Sequence, residues 1–126
     1  MAVSGKSGYQ DIYSYRGGSS ADYSLYEMGI TNIRAGRIRT ISVEDIFKRE
    51  GLSRIDFLKL DCEGAEHDIL RNMSLETAAK IMGMAMETHH VPSEFSIDIP
   101  LRLKELGFEI KTNGGGYLYA RRTHPK

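Results

Sequence analysis

Tryptophan is absent from this 126-residue chain, cysteine occurs once and proline three times. The single cysteine, Cys62, excludes an internal disulfide and any zinc site built from several thiolates. Its place inside an apolar run makes it a small core residue rather than a nucleophile. Excess charge is also missing, since 17 Lys and Arg balance 17 Asp and Glu. Without a basic stripe to neutralise phosphates, general nucleic-acid binding is disfavoured. No apolar run approaches the roughly 18 residues that cross a bilayer, and the start MAVSGKSG lacks the basic and apolar regions of a signal peptide. The expectation is a soluble, cytoplasmic protein with no membrane partner. Nor does any Gly-x-Gly-x-x-Gly turn follow a strand, because Gly114 to Gly116 lies between two strand-like segments, the wrong context for a nucleotide.

What is present centres on Ile55 to Glu66, IDFLKLDCEGAE. Ile55, Phe57, Leu58 and Leu60 are too few for a free-standing helix but suit a strand buried on both faces of a parallel sheet. Asp61, Glu63 and Glu66 then bring three acids to the point where the run stops. In open α/β sheets ligands bind outside the carboxyl ends of strands, so acids placed there carry functional weight. The bland alternative is that Glu63 and Glu66 are first-turn residues favoured by the helix dipole, worth about 0.3–1 kcal/mol each.

The length allows one domain, residues 1–126, with residues 1–36 irregular apart from one strand. That strand is expected over Tyr9 to Tyr15, before the loop Gly17, Gly18, Ser19, Ser20, which reads as a plain turn. The tyrosines of this region read as half-buried packing. Arg37 to Ile41 alternates as a half-exposed strand does. Ser42 with Asp45 three residues on forms a capping-box pattern for a helix carrying Ile46 and Phe47, and Gly51 is a left-handed stop. A helix leading into a buried strand is half of a βαβ unit.

Beyond Gly64, Ala65, Ile69, Leu70 and Met73 follow helical spacing, and Leu75 to Lys80 suits a short further helix. Ile81 to Met86 is the next strand, with Met82, Met84 and Met86 as core filler on one face. It ends in Glu87, Thr88, His89 and His90. Two successive strands thus finish in acids or histidines, and in a parallel sheet those ends share one edge. After the polar loop Val91 to Ile99, Pro100 suits a first helical turn. Leu103 and Leu106 face inward and Gly107 closes the helix. Phe108 to Lys111 and Tyr117 to Ala120 form an antiparallel hairpin around an Asn-Gly-rich loop. Arg121 to Lys126 reads as a frayed basic tail.

The segment TISVEDIFKREGLSRIDFLKLDCEGAEHDIL resembles the FkbM-type methyltransferase family. Lys59, Asp61, Glu63, Gly64 and Glu66 match the family's hallmark series, and METHH, Met86 to His90, resembles its later Glu-x-His strand end. The opening AVSGKSG is similar to a segment lying midway through family members, with Gly5 where an Asp is common. The resemblance implies an α/β fold, part of a class I, Rossmann-like methyltransferase sheet, mostly parallel with a C-terminal antiparallel hairpin. It implies S-adenosylmethionine as cofactor, yet the family's first half, with the glycine-rich turn that holds it, has no counterpart in this sequence. In the class I strand order 3-2-1-4-5-7-6 the strands retained are the fourth to seventh. Ile55 to Leu60 is then an exposed edge that invites pairing with another chain and hence a homo-oligomer.

The implied reaction is O-methyl transfer to a small-molecule or glycan-type hydroxyl. Asp61, Glu63 and His89 are the catalytic candidates, orienting or deprotonating the acceptor. Lys59, Glu66 and Glu87 are the supporting, substrate-binding candidates, with Lys59 offsetting the acids or snorkelling off the sheet. No residue is assigned to the cofactor or to a metal. Two other readings stay open: a divalent cation among Asp61, Glu63 and His67, the last two at i, i+4 on one helix face, and a cofactor-free binding or assembly module.

Overall fold

The computed structural model describes residues 2–15, 32–61 and 64–123. The expectations for Gly17 to Ser20, for Cys62 and for Glu63 therefore lie outside the described residues. The chain is a mixed α/β protein with a three-stranded and a four-stranded sheet and four helices among those residues.

The first sheet joins β1 (Ala2–Val3), β2 (Gly8–Tyr15) and β3 (Asn32–Ile41) in the order β1-β3-β2. Strand β2 lies antiparallel to β3, whereas β1 runs parallel to it. The amino-terminal region therefore carries more strand than the single one expected. Tyr9 is 64% exposed, so it packs far less than was expected of it.

Ser42 caps α1 (Val43–Glu50) as its sequence predicts, accepting from the Asp45 amide at 3.1 Å. The reciprocal half of the capping box goes elsewhere. The Asp45 carboxylate accepts from the Ser7 hydroxyl, and Ser7 Oγ in turn accepts from the Ser42 amide at 3.0 Å, so the first sheet is stapled to the helix start. Gly51 stops the helix in the left-handed region, φ 65°.

A second staple fixes the turn after β1. Asp68, on α2 (Ala65–Asn72), accepts from the Gly5 amide at 3.0 Å and from the Ser4 hydroxyl at 3.2 Å. A Cβ at Gly5 would stand 2.4 Å from Asp68 Oδ2. An aspartate there would also set two carboxylates against each other.

The second sheet holds β4 (Leu58–Leu60), β5 (Gly83–Glu87), β6 (Phe108–Gly114) and β7 (Tyr117–Arg122) in the order β4-β5-β7-β6. Only β4 and β5 run parallel; β7 is antiparallel to both β5 and β6. The sheet is thus mixed rather than mostly parallel, because the hairpin makes up half of its four strands. The central strand is also shorter than Ile55 to Leu60: Ile55 makes only an isolated bridge to Ile81 before β4 begins at Leu58.

One face of this sheet is the core. Leu60, Met84, Met86, Leu118 and Ala120 share it by register, all at most 3% exposed. Against it pack Phe47 of α1, Ile69 and Leu70 of α2, Ala78 of α3 (Leu75–Ala78) and Leu103 of α4 (Ile99–Glu105). The opposite face is uncovered. Phe57 is 48%, Tyr117 63% and Tyr119 50% exposed, and Lys59 is exposed beside them. Burial on both faces was expected for the Ile55 to Leu60 run; the helices following β4 and β5 cover a single side, so the rings of Phe57 and Tyr119 shelter each other instead, 5.5 Å apart. Strand β4 forms one edge of the sheet, and among the described residues no strand pairs its outer side.

Arginines close the far end. Arg102 Nε donates to Leu70 O at 2.9 Å and its Nη2 to Met73 O at 2.8 Å, satisfying carbonyls at the end of α2. Arg122 reaches Ile81 O, Ala78 O and Leu106 O, and its guanidinium lies 4.5 Å from the centre of the Phe108 ring. Burial lowers its pKa from the ordinary arginine range. Arg121 and Arg122 are strand residues rather than the frayed tail expected, and the guanidinium of Arg122 is held by the carbonyls of three residues distant in the chain. Its Nη1 would lie 2.6 Å from a Cβ at Gly107, where φ is +93° and glycine is needed for the backbone as well. Replacing Arg122 by Ala leaves these carbonyls without their donor and is expected to lower stability by about 2–3 kcal/mol. Urea unfolding measures it, and an unchanged midpoint would contradict the role.

Candidate functional site

Strands β4 and β5 run parallel with Leu60 paired to Met86, so their carboxyl ends lie side by side. Asp61 follows β4 directly, Glu87 is the last residue of β5, and His89 stands two residues further on. One ligand-capable atom from each of the three lies within 4.8 Å of the others. The juxtaposition expected from two successive strand ends is therefore present. Asp61 is exposed, while Glu87 and His89 are half-buried.

Beneath these groups lies a carboxylate that water does not reach. Glu66 is 0% exposed. Its Oε2 accepts from the Gly64 amide at 3.0 Å, its Oε1 accepts from the His89 amide at 2.8 Å, and His89 Nδ1 lies 3.0 Å from the same Oε1. An ionised carboxylate can only accept, so His89 carries its proton on Nδ1 and donates it there. A charge without solvent is costly unless hydrogen-bonded, and three N–H donors supply the bonds. Gly64, at φ 103°, opens α2 without a capping side chain of its own; the reach-back of Glu66 ties up its amide. One side chain thus joins the start of α2 to the end of β5 and turns His89 Nε2 towards Glu87, whose Oε1 is 4.0 Å away.

His67 has a different part. Its Nε2 lies 2.9 Å from His89 O, and its Nδ1 accepts from the Ile97 amide at 3.1 Å. An amide donor on Nδ1 places the ring proton on Nε2, which donates to the carbonyl. Both ring nitrogens are occupied by backbone, so His67 is a strut that ties the METHH end and the following loop to α2. Around it opens a cleft of ≈ 360 Å³ lined by His67, His89, His90, Asp98, Pro100 and Leu118. A hollow of ≈ 600 Å³ lined by Tyr9, Arg39, Lys48 and Arg49 lies away from the strand ends and holds none of this chemistry.

Of the residues singled out from the sequence, Asp61, Glu87 and His89 converge. Glu66 was expected to support the substrate; both its oxygens serve Gly64 and His89 instead, because a first-turn acid at this helix faces the strand end rather than the solvent. Lys59 is exposed, two residues before Asp61 on the uncovered face. His67 does not stand ready as a ligand beside Asp61, for the reason just given. Sequence reasoning missed the strut, and the only available signal was its adjacency to Glu66 in the helix start.

A buried acid holding a strand-end histidine, with two carboxylates beside it at the edge of a parallel strand pair, defines an α/β protein with an acid–imidazole site. Residues 1–110 match the family described as the methyltransferase FkbM domain. The chain belongs to that family. It is also 30% identical over 105 residues to "Methyltransferase sdnD" of Sordaria araneosa, an alignment that covers 81% of this chain and 40% of that protein. The alignment thus covers two fifths of this relative's length. No solved structure matches it significantly.

Replacing Glu66 by Gln would turn an amide NH₂ towards one of the three N–H donors. A loss of about 2 kcal/mol is expected, together with release of the His89 ring, seen as altered imidazole resonances in NMR spectra. A fully stable Glu66→Gln variant with an unmoved His89 would contradict the arrangement.

Proposed function

We propose that this chain carries the acceptor half of an S-adenosylmethionine-dependent O-methyltransferase site. The observation that carries the reading is the meeting of Asp61, Glu87 and His89 at adjoining carboxyl ends of parallel strands, in a chain of a methyltransferase family. The strand order β4-β5-β7-β6 supports the class I, Rossmann-like assignment, since it reproduces the fourth, fifth, seventh and sixth positions of that sheet.

The residues present do not fit the cofactor. No glycine-rich strand-to-helix turn occurs in the sequence, and the outer side of β4, where the strand bearing such a turn would pair, is open among the described residues. No step is therefore assigned to the cofactor here. What this chain supplies is acceptor handling. A hydroxyl seated over the strand ends must be oriented and must lose its proton as its oxygen attacks. Asp61 is exposed and placed to hold or deprotonate it, and His89, fixed by Glu66, presents Nε2 to the same space. Glu87 steadies that ring from its other end, and Glu63 is a neighbouring candidate by sequence. The cleft beside His90 and Asp98 is the place for the remainder of a small-molecule or glycan-type acceptor.

Calorimetric titration with S-adenosylmethionine tests the division. This chain alone is expected to give no binding heat, whereas a version extended at its amino terminus to include a glycine-rich turn binds; tight binding by the short chain would overturn the acceptor-half reading. In an extended version that is active, Asp61→Asn is expected to lower kcat by about 10²-fold while leaving cofactor affinity unchanged. Equal turnover would remove Asp61 from the mechanism.

The β4 edge favours a second reading, in which the domain serves assembly. A strand with unpaired backbone groups beside the exposed rings of Phe57 and Tyr119 is a template for another copy. Sedimentation velocity over a concentration series is expected to show self-association, and a monomer throughout would count against it.

A further inference from the structure

We infer that the hollow between the first sheet and α1 is a second binding site, which takes the phosphate group of a small phosphate monoester with a flat organic part. Its walls come from β2, β3 and α1 and enclose ≈ 600 Å³, room for a small ligand. It shares no lining residue with the cleft beside His89, so it stands apart from the methyltransferase reading. Tyr9 lies directly opposite Arg39 across the β2–β3 pair, and both side chains therefore leave the sheet on one face. Lys48 and Arg49 reach the same hollow from the last turn of α1.

Charge points to the ligand. Acids and bases balance over the whole sequence, yet here three cations stand against a single carboxylate, that of Asp45. The helix dipole accounts for Lys48 and Arg49 at the end of α1. It does not account for Arg39, which comes from the sheet. Other guanidiniums are spent on structure: Arg102 and Arg122 hold carbonyls, and Arg54 is 2.7 Å from Asp56. Among the described residues no carboxylate pairs with Arg39, and its planar fork is open to an oxyanion. Lys48 is 3.6 Å from Glu44, but both side chains are mostly exposed, and such a pair exchanges partners at little cost. Arg49 is engaged elsewhere and contributes only its field.

The two sources of charge are held in a fixed relation before any ligand arrives. Ser7 Oγ donates to Asp45 and accepts from the Ser42 amide, which ties the start of β2 to the start of α1. Thr40 Oγ1 donates to Lys6 O at 2.8 Å and fixes the same corner from β3. A singly charged carboxylate is satisfied by one guanidinium, whereas cations from two elements suit a group with two charges and three acceptor oxygens. The ring of Tyr9, 64% exposed beside Arg39, offers a flat wall to the organic part.

Titration of this chain with phenyl phosphate, followed by its backbone ¹H–¹⁵N spectrum at constant ionic strength, tests the site. Saturable shifts are expected at the amides of Gly8, Tyr9, Arg39 and Lys48. Affinity is expected to fall about tenfold in Arg39→Gln and in Lys48→Gln and to stay unchanged in Lys104→Gln, an exposed base on α4. Inorganic phosphate is expected to move the same amides with weaker affinity, and Tyr9→Ala to remove the difference between the two probes. Benzoate, with the ring but a single charge, is expected to bind about tenfold more weakly than phenyl phosphate. Circular dichroism checks that each variant is folded. Absence of saturable shifts overturns the site, as does binding that Lys104→Gln weakens as much as Arg39→Gln. Benzoate binding as tightly as phenyl phosphate overturns the dianion, and inorganic phosphate binding as tightly overturns the ester.

Discussion

The structure depends on the carboxylate of Glu66. Among the described acids of the chain's central motif it alone is fully buried, and its two oxygens gather three N–H groups from the start of α2 and the end of β5. Parallel strands position their carboxyl ends only as well as the connections beyond them allow. Here the connection after β4 and the one after β5 are bonded to the same side chain, so the two ends cannot drift apart without breaking buried, charge-assisted hydrogen bonds. His67 adds a parallel tie one residue along the helix, from the same turn to His89 O and the Ile97 amide. Asp61, Glu87 and His89 stand beside this inner pair, of which His67 also lines the cleft.

A second constraint is the asymmetry of the four-stranded sheet. Its core face is filled by aliphatic side chains and methionines under four helices, while the other bears Phe57, Lys59, Tyr117 and Tyr119 in the open. By register Asp61 and Glu87 belong to that open side. These acids therefore sit where an edge, an uncovered face and a strand end coincide.

Much of this was legible in the sequence where local rules act alone. Ser42, Gly51, Pro100 and Gly107 marked helix ends correctly because caps and left-handed stops are decided within a few residues. The hairpin was legible too, though its strands extend to Gly114 and begin again at Tyr117, with Gly115 and Gly116 both at positive φ in the turn. The convergence of Asp61 with METHH followed from two strand ends in one parallel pair. The roles of Glu66 and His67 were not legible, since which first-turn residue points inward depends on where β5 ends in space. The exposure of Phe57 was hidden for the same reason: an apolar strand shows its hydrophobicity in the sequence but not how many of its faces are covered. Arg122 looked like tail because its partners, Ala78, Ile81 and Leu106, are distant in the chain.

Glu66 sets the tautomer of His89 and thereby its aim, while the Ile97 amide and the His89 carbonyl set that of His67. A long-range ¹H–¹⁵N correlation spectrum of the imidazole rings reads that pattern directly. His67 is expected with its proton on Nε2 and His89 with its proton on Nδ1, the latter shifted downfield by the buried carboxylate. The reverse assignment, or two rings averaging freely between tautomers, would contradict it.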